Sequence, residues 1–263
     1  MYRLMCYNIG RAIAFGISPS PVVAADNLAV TRIGITFIQS CDYAILYKYT
    51  YDNIRYRKDS ISPMKLQDIT PVILASQSPR RREIMRRHGV DVLIRPTDTD
   101  ESLPDSIGPE EAVQLLSAKK ALACFGSLQT SDFPSGLIIA ADTIVYKDEI
   151  LGKPVDEEDA FRMLALYRGT FHQVMTGVTL LDIATRKQHS FCETTLVHCK
   201  NYSDEEIREY IRTAQPFDKA GAYGIQEAFS EYIESYEGDY ENVVGLPFER
   251  LARETEIFTD SLI

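Results

Sequence analysis

The chain has 263 residues, 45% of them hydrophobic, enough for one large domain or two small ones. Its 38 acidic side chains outnumber 28 basic ones, and the net charge of −10 excludes a broadly basic nucleic-acid-binding surface while leaving room for a local cationic pocket. Five scattered cysteines without a CxxC pair read as free thiols in a reducing cytoplasm, and no apolar run is long enough to span a membrane.

In chain order, residues 1–63 stand apart: they carry +3 against −13 for the remaining 200, no Glu, and seven of the fifteen tyrosines. A stretch at 33–38 has strand character, but no sustained period runs through the segment, and nothing in it has the form of a secretory signal. Residues 1–63 are therefore expected to be an extension of doubtful status, poorly structured or lying upstream of a natural start at Met64. An extension that packs on the main domain or on a partner is the competing reading.

From Met64 onward, strands and helices alternate. A strand is predicted at 72–75 and a helix at 79–88. The helix predicted at 109–125 has Ala112, Leu115, Leu116, Leu122 and Ala123 on its apolar stripe. A buried strand at 137–145 enters a hairpin near Lys147, Asp148 and Glu149. Asp156 caps a helix ending near Tyr167, and 173–182 and 188–200 alternate as two antiparallel strands. Ser203 and Glu206 form a capping box for a helix ending near Arg212. A Gly-rich stretch, "DKAGAYGIQ" (218–226), precedes strand-like residues at 232–236, a turn at 237–247 and a last helix through Phe258. The pattern predicts one α/β domain over about 70–258 with a mixed sheet, within a unit of 64–263.

The chemistry is concentrated at a few places. Ser78 and Pro79 open a helix, yet Arg80, Arg81 and Arg82 follow at the end that already carries positive partial charge. A bound polyphosphate would account for the cluster, because helix N–H groups and guanidinium forks both suit phosphate oxygens. A solvated basic helix face would look the same in sequence. Asp142 lies inside the apolar run "IIAADTIV", an expensive place for a charge without a partner, although a strand-end Asp that merely caps a turn would read the same. Glu101 in "DTDESLP", Lys153 in "LGKP" and Lys120 on the second helix are further candidates, each also compatible with plain surface exposure. In "DKAGAYGIQ", glycines allow close backbone approach beside Asp218, Lys219 and Gln226, as would an ordinary turn. The four histidines show no H-x-x-x-H spacing, and neither G-x-S-x-G nor a Walker-type loop occurs. Carboxylates with surrounding cations remain, a set suited to Mg²⁺ or Mn²⁺ acting on a phosphoanhydride.

Several stretches in order, "LASQSPRRREIM" (74–85), "AADTIV" (140–145), "GKP" (152–154), "HQVMTGV" (172–178), "DKAGAYGIQ" (218–226) and "GDYENVVGLP" (238–247), resemble the Maf family of nucleoside triphosphate pyrophosphatases, the septum-formation inhibitor proteins. The resemblance covers residues 70–250. It implies the Maf/inosine-triphosphatase-like α/β fold, a curved mixed sheet with flanking helices and a deep cleft between two lobes. It also implies hydrolysis of a nucleoside triphosphate to the monophosphate and pyrophosphate with a divalent cation. By matching positions, Ser76, Arg80 and Arg81 grip phosphates; beside that resemblance, Lys219 is expected to join Arg80, Arg81 and Lys153 in neutralising the leaving pyrophosphate. Glu101, Asp142, Lys120 and Lys153 fall on the family's catalytic carboxylates and lysines. Asp142 is then the proton acceptor for the attacking water, and Glu101 and Asp142 hold the metal. Arg80, Thr143 and Gln226 resemble the branch acting on dTTP and UTP. An amide that both donates and accepts suits a pyrimidine edge, in ordinary or modified nucleotides. A 7-methyl-GTP-type enzyme is one alternative, and a nucleotide-binding regulator of cell division with little turnover is another. The expected partner is the nucleotide alone, with neither nucleic acid nor membrane, and a homodimer is left open.

Overall fold

Seven strands share one mixed sheet in the computed structural model, which describes residues 65–262 apart from 105, 130 and 131. The chain divides into Met1–Ser60 and Ile61–Ile263, and every described element lies in the second part. The strand expected at 33–38 and the Met64 boundary lie outside the described residues.

The strands are β1 (Val72–Leu74), β2 (Val92–Ile94), β3 (Leu137–Lys147), β4 (Glu149–Leu151), β5 (Phe171–Asp182), β6 (Gln188–Cys199) and β7 (Ile233–Glu237). Their order is β2-β1-β3-β5-β6-β7, with β4 also paired to β3. β2, β1 and β3 run parallel, whereas β4, β5, β6 and β7 pair antiparallel with their neighbours. The helices are α1 (Pro79–Arg87), α2 (Pro109–Ser127), α3 (Glu157–Tyr167), α4 (Asp204–Ala214), α5 (Tyr240–Val244) and α6 (Phe248–Asp260). The expected mixed α/β architecture is what the chain adopts.

Alternation along β3 sorts its side chains between two faces. Leu137, Ile139, Ala141 and Val145 join Ile84 and Met85 of α1 and Leu251 and Phe258 of α6 in the main core. Ile138 and Ala140 face the other way, onto Ala121 and Cys124 of α2. Each of the larger side chains among these, the Leu, Ile, Val, Met and Phe, contributes about 1.5–3 kcal/mol by leaving water.

One edge of β3 is interrupted. β5 pairs with it from Leu137 to Tyr146, whereas the opposite edge is taken by β1 at Leu137, Ile138 and Ile139 and by β4 only from Val145. Between them, residues 140–144 have no strand beside them on that edge among the described residues. The break lies just beyond the carboxyl end of β1, where open α/β sheets gather ligands.

Local signals in the chain explain the helix starts. Ser78 caps α1, Asp156 caps α3 by accepting from Asp159 N at 2.8 Å, and Ser203 with Glu206 completes the capping box of α4. Three readings need correction. The buried face of α2 is Ala112, Val113, Leu116, Ser117, Ala121 and Cys124, while Leu122 is 52% exposed and Leu115 and Ala123 are only half-buried. The helix packs across β3, β5 and β6, so the residues it buries are those facing these strands instead of the most apolar ones. β2 escaped notice because three half-exposed residues form a strand only through pairing with β1. The supposed turn at 237–247 contains the short helix α5, stopped by Gly245 at φ 119°, a left-handed conformation natural to glycine.

Candidate active site

Asp142 and Thr143 are consecutive in β3, at the broken edge, and so point to opposite faces of the sheet. On the Asp142 face, the Lys120 ammonium of α2 donates to Asp142 Oδ1 and lies 2.8 Å from Glu101 Oε1. That hydrogen bond from Lys120 holds the Glu101 carboxyl below its ordinary range, assisted by the charges of Lys120, Lys153 and Arg81. Lys120 reaches Asp142 because α2 runs unusually close to the sheet. Asp142 pairs across with Gly177, where a Cβ would sit 2.2 Å from the Val113 carbonyl oxygen. Any side chain at 177 would push the helix away.

On the Thr143 face, Arg81 reaches in from the first turn of α1. Its Nε donates to the Gly245 carbonyl at 2.8 Å, Nη1 to Ser76 Oγ at 3.2 Å and Nη2 to Thr143 Oγ1 at 3.1 Å. Burial lowers the Arg81 pKa from its ordinary value, while the charge of Asp142 opposes the change. An arginine nevertheless stays protonated. Ser76 Oγ also accepts from Ser78 N at 3.2 Å, folding the turn between β1 and α1 around the guanidinium. The far end of α1 is tied down as well: Arg87 lies 3.2 Å and His88 2.9 Å from Glu241 of α5, and His88 stacks on Phe248.

A third group borders these two. Arg80 is 3.6 Å from Glu227 Oε1, and Lys219 is 3.2 Å from Glu227 Oε2 and 2.7 Å from Asp218 Oδ1. Burial alone would lower the Lys219 pKa, but hydrogen bonds to Asp218 and Glu227 outweigh it and raise it. The loop carrying Lys219 is pinned to the Lys153 loop, since Gly221 N donates to Gly152 O at 2.9 Å and Tyr167 Oη donates to Gly221 O at 3.2 Å.

The structure thus brings Ser76, Arg81 and Thr143 into direct contact, and likewise Lys120, Asp142 and Glu101. Arg81 senses the charges of Asp142, Glu101 and Arg80, which links the groups electrostatically. Lys153 and Gln226 are exposed; Lys153 acts on Glu101 through its charge, and Gln226 forms no hydrogen bond with the described residues. Glu227, Thr176, Asn242 and the Gly245 carbonyl went unnoticed in the sequence. For Asn242 a signal existed, a polar residue directly before the apolar run Val243, Val244.

Among the described residues no three His, Cys, Asp or Glu side chains converge as a metal site. Two carboxylates do converge on a single point, the Lys120 ammonium, so the pair can face one cation together. Mg²⁺ commonly takes one or two carboxylates and completes its shell with water and phosphate oxygens, so the donor set fits.

Residues 71–257 match the family described as Maf-like protein. This chain belongs to the Maf family. Curated relatives named dTTP/UTP pyrophosphatase include one from Pelotomaculum thermopropionicum, 42% identical over 69% of this chain and 93% of that protein. Others are from Geobacillus sp., 43% identical over 70% and 96%, and Salinibacter ruber, 45% identical over 72% and 91%. The Maf match begins at the cis Thr70-Pro71 bond before β1 and ends within α6, so it takes in every group described above.

Proposed function

We propose that this chain hydrolyses dTTP and UTP, and related modified pyrimidine nucleotides, to the monophosphate and pyrophosphate. The observation that carries the reading is the set of guanidinium, ammonium and carboxylate groups gathered on both faces of β3 at its interrupted edge, in a chain whose relatives bear that activity in their names. A cleft between two lobes, entered by the nucleotide, is part of this reading.

Arg80, Arg81, Lys153 and Lys219 bind the phosphate chain and stabilise the charge that grows on the departing pyrophosphate, usually the dominant contribution in such reactions. Asp142 orients a water against the α-phosphorus and takes its proton as the new P–O bond forms and the bond to the bridging oxygen breaks. Lys120 holds the Asp142 and Glu101 carboxylates at their spacing. Glu101 and Asp142 are the residues that would hold a divalent cation, Mg²⁺ or Mn²⁺. When bound, it would supply further neutralisation of phosphate charge. Gln226, exposed beside Glu227, is assigned to the nucleobase edge. The reading places the protein in the cytoplasm, acting on free nucleotides without a nucleic-acid or membrane partner, and it is compatible with a homodimer. Residues 64–263 are assigned the whole activity.

The test is a nucleotide panel with product identification, run on the full chain and on residues 64–263, with Mg²⁺ or Mn²⁺ supplied. Monophosphate and pyrophosphate from dTTP and UTP, at similar rates in both proteins, are expected. Preference for 7-methyl-GTP, or tight dTTP binding without monophosphate release, would overturn the assignment. Loss of activity on truncation would overturn the domain assignment alone.

A further inference from the structure

The hydroxyl groups of Thr143 and Thr176 form a directed chain behind Arg81. Thr176 Oγ1 donates its one proton to the main-chain carbonyl of Asn242 at 3.0 Å and lies 2.9 Å from Thr143 Oγ1. With the Thr176 proton committed, the proton between the two hydroxyls belongs to Thr143. Thr143 therefore donates to Thr176 and turns a lone pair toward Arg81 Nη2. Asn242, fully buried, is anchored through Nδ2 to Val174 O and Thr195 Oγ1, both at 3.0 Å. Because Thr143 and Thr176 are a cross-strand pair of β3 and β5, the relay is fixed by sheet register.

A guanidinium has five N–H bonds. Three of those on Arg81 go to neutral acceptors: Gly245 O, Ser76 Oγ and Thr143 Oγ1. One N–H on each terminal nitrogen is left without a hydrogen bond among the described residues, and a guanidinium can meet two phosphate oxygens through two such bonds. No ion pair with the described residues cancels the Arg81 charge.

We infer that Thr176 is a positioning residue: held by the Asn242 carbonyl, it sets the polarity of the Thr143 hydroxyl and so locks Arg81 with its two free N–H bonds presented to a phosphate. This rests on the reading of Arg81 as a phosphate-binding group. It also makes Thr143 a partner of Arg81, with no proton free to donate to a nucleobase.

The experiment is a double-mutant cycle on the full chain, measuring kcat/KM for dTTP and thermal midpoints. Thr176→Val, nearly the same shape, is expected to lower kcat/KM about ten-fold, the effect of one hydrogen bond at the upper end of its usual worth. Thr176→Ser keeps the hydroxyl and is expected to restore most of the activity. In an Arg81→Ala background, Thr176→Val should cost nothing further. Full additivity of Thr176→Val with Arg81→Ala, or a harmless Thr176→Val beside a damaging Arg81→Ala, overturns the relay and leaves the phosphate-binding reading standing. A harmless Arg81→Ala overturns both. If Thr176→Val fails to fold, Thr176→Ala removes the same hydroxyl and leaves the direct Thr143 contact to Arg81 in place, with the same expected cycle.

Discussion

Arg81 and Lys120 approach β3 from opposite faces and are held in opposite ways. Arg81 is gripped by a main-chain carbonyl and two hydroxyls, all neutral, so it is oriented without losing its charge. Lys120 is gripped by two carboxylates, and its charge is already answered inside the protein. The contrast separates two tasks. Neutral acceptors prepare a cation for an anion still to come, whereas an ion pair holds carboxylates at a fixed spacing until a stronger cation or a proton engages them.

The comparison breaks most visibly at Asp142. Asp142→Asn keeps the shape but removes the proton acceptor, and pyrophosphate release from dTTP is expected to fall a hundredfold or more, about the lower end of general-base contributions. Activity near that of the unaltered enzyme would remove Asp142 from the chemistry. Gly177→Ala attacks the Lys120 face alone. The added methyl meets the Val113 carbonyl, so a loss of about 1–3 kcal/mol in stability is expected together with lower kcat. Denaturant unfolding and turnover, measured on one preparation, check whether the two fall together.

The loop that carries Lys219 depends on a buried neutral imidazole. His172 packs against Tyr167 with the rings tilted by 34° and lies 2.6 Å from Tyr223 Oη, and burial depresses its pKa to about 3. Between that value and the ordinary 6.5, the unfolded chain binds a proton that the folded one refuses. Stability contributed by this group is therefore complete above pH 6.5 and falls by about 1.4 kcal/mol per unit below it. Chemical unfolding at pH 7 and pH 5 should show the drop, and His172→Gln should flatten it. The smallest expected effect sharpens the contrast instead of breaking it. Glu227 occupies Arg80 and Lys219 much as Asp142 and Glu101 occupy Lys120. Glu227→Gln frees Arg80 and leaves Lys219 to Asp218 alone, and the KM for dTTP is expected to fall severalfold with kcat little changed, as for a half-exposed pair worth at most about 1 kcal/mol. An unchanged or higher KM would show that Glu227 does not compete with the nucleotide.

Much of the layout was legible in the sequence. Caps at Ser78, Asp156 and Ser203, alternation in β5 and β6, and the improbable Asp142 in an apolar run are local facts, set by neighbours a few residues away. The buried face of α2 was not, because a helix packed across β3, β5 and β6 buries whatever side chains face those strands, Ser117 included. Gln226 and Glu227 stand next to each other, yet only the folded chain shows that Glu227 is the one bound to Arg80 and Lys219.

From its own order of residues the chain determined which elements form, which acids and cations are available, and the family to which it belongs. Tertiary structure decided which of those groups touch, through contacts such as Arg81 to Gly245 and Thr176 to Asn242 that span long stretches of chain. The reason is that propensity and capping act over a single turn or pair of residues, whereas hydrogen-bond direction and charge pairing depend on where distant segments meet.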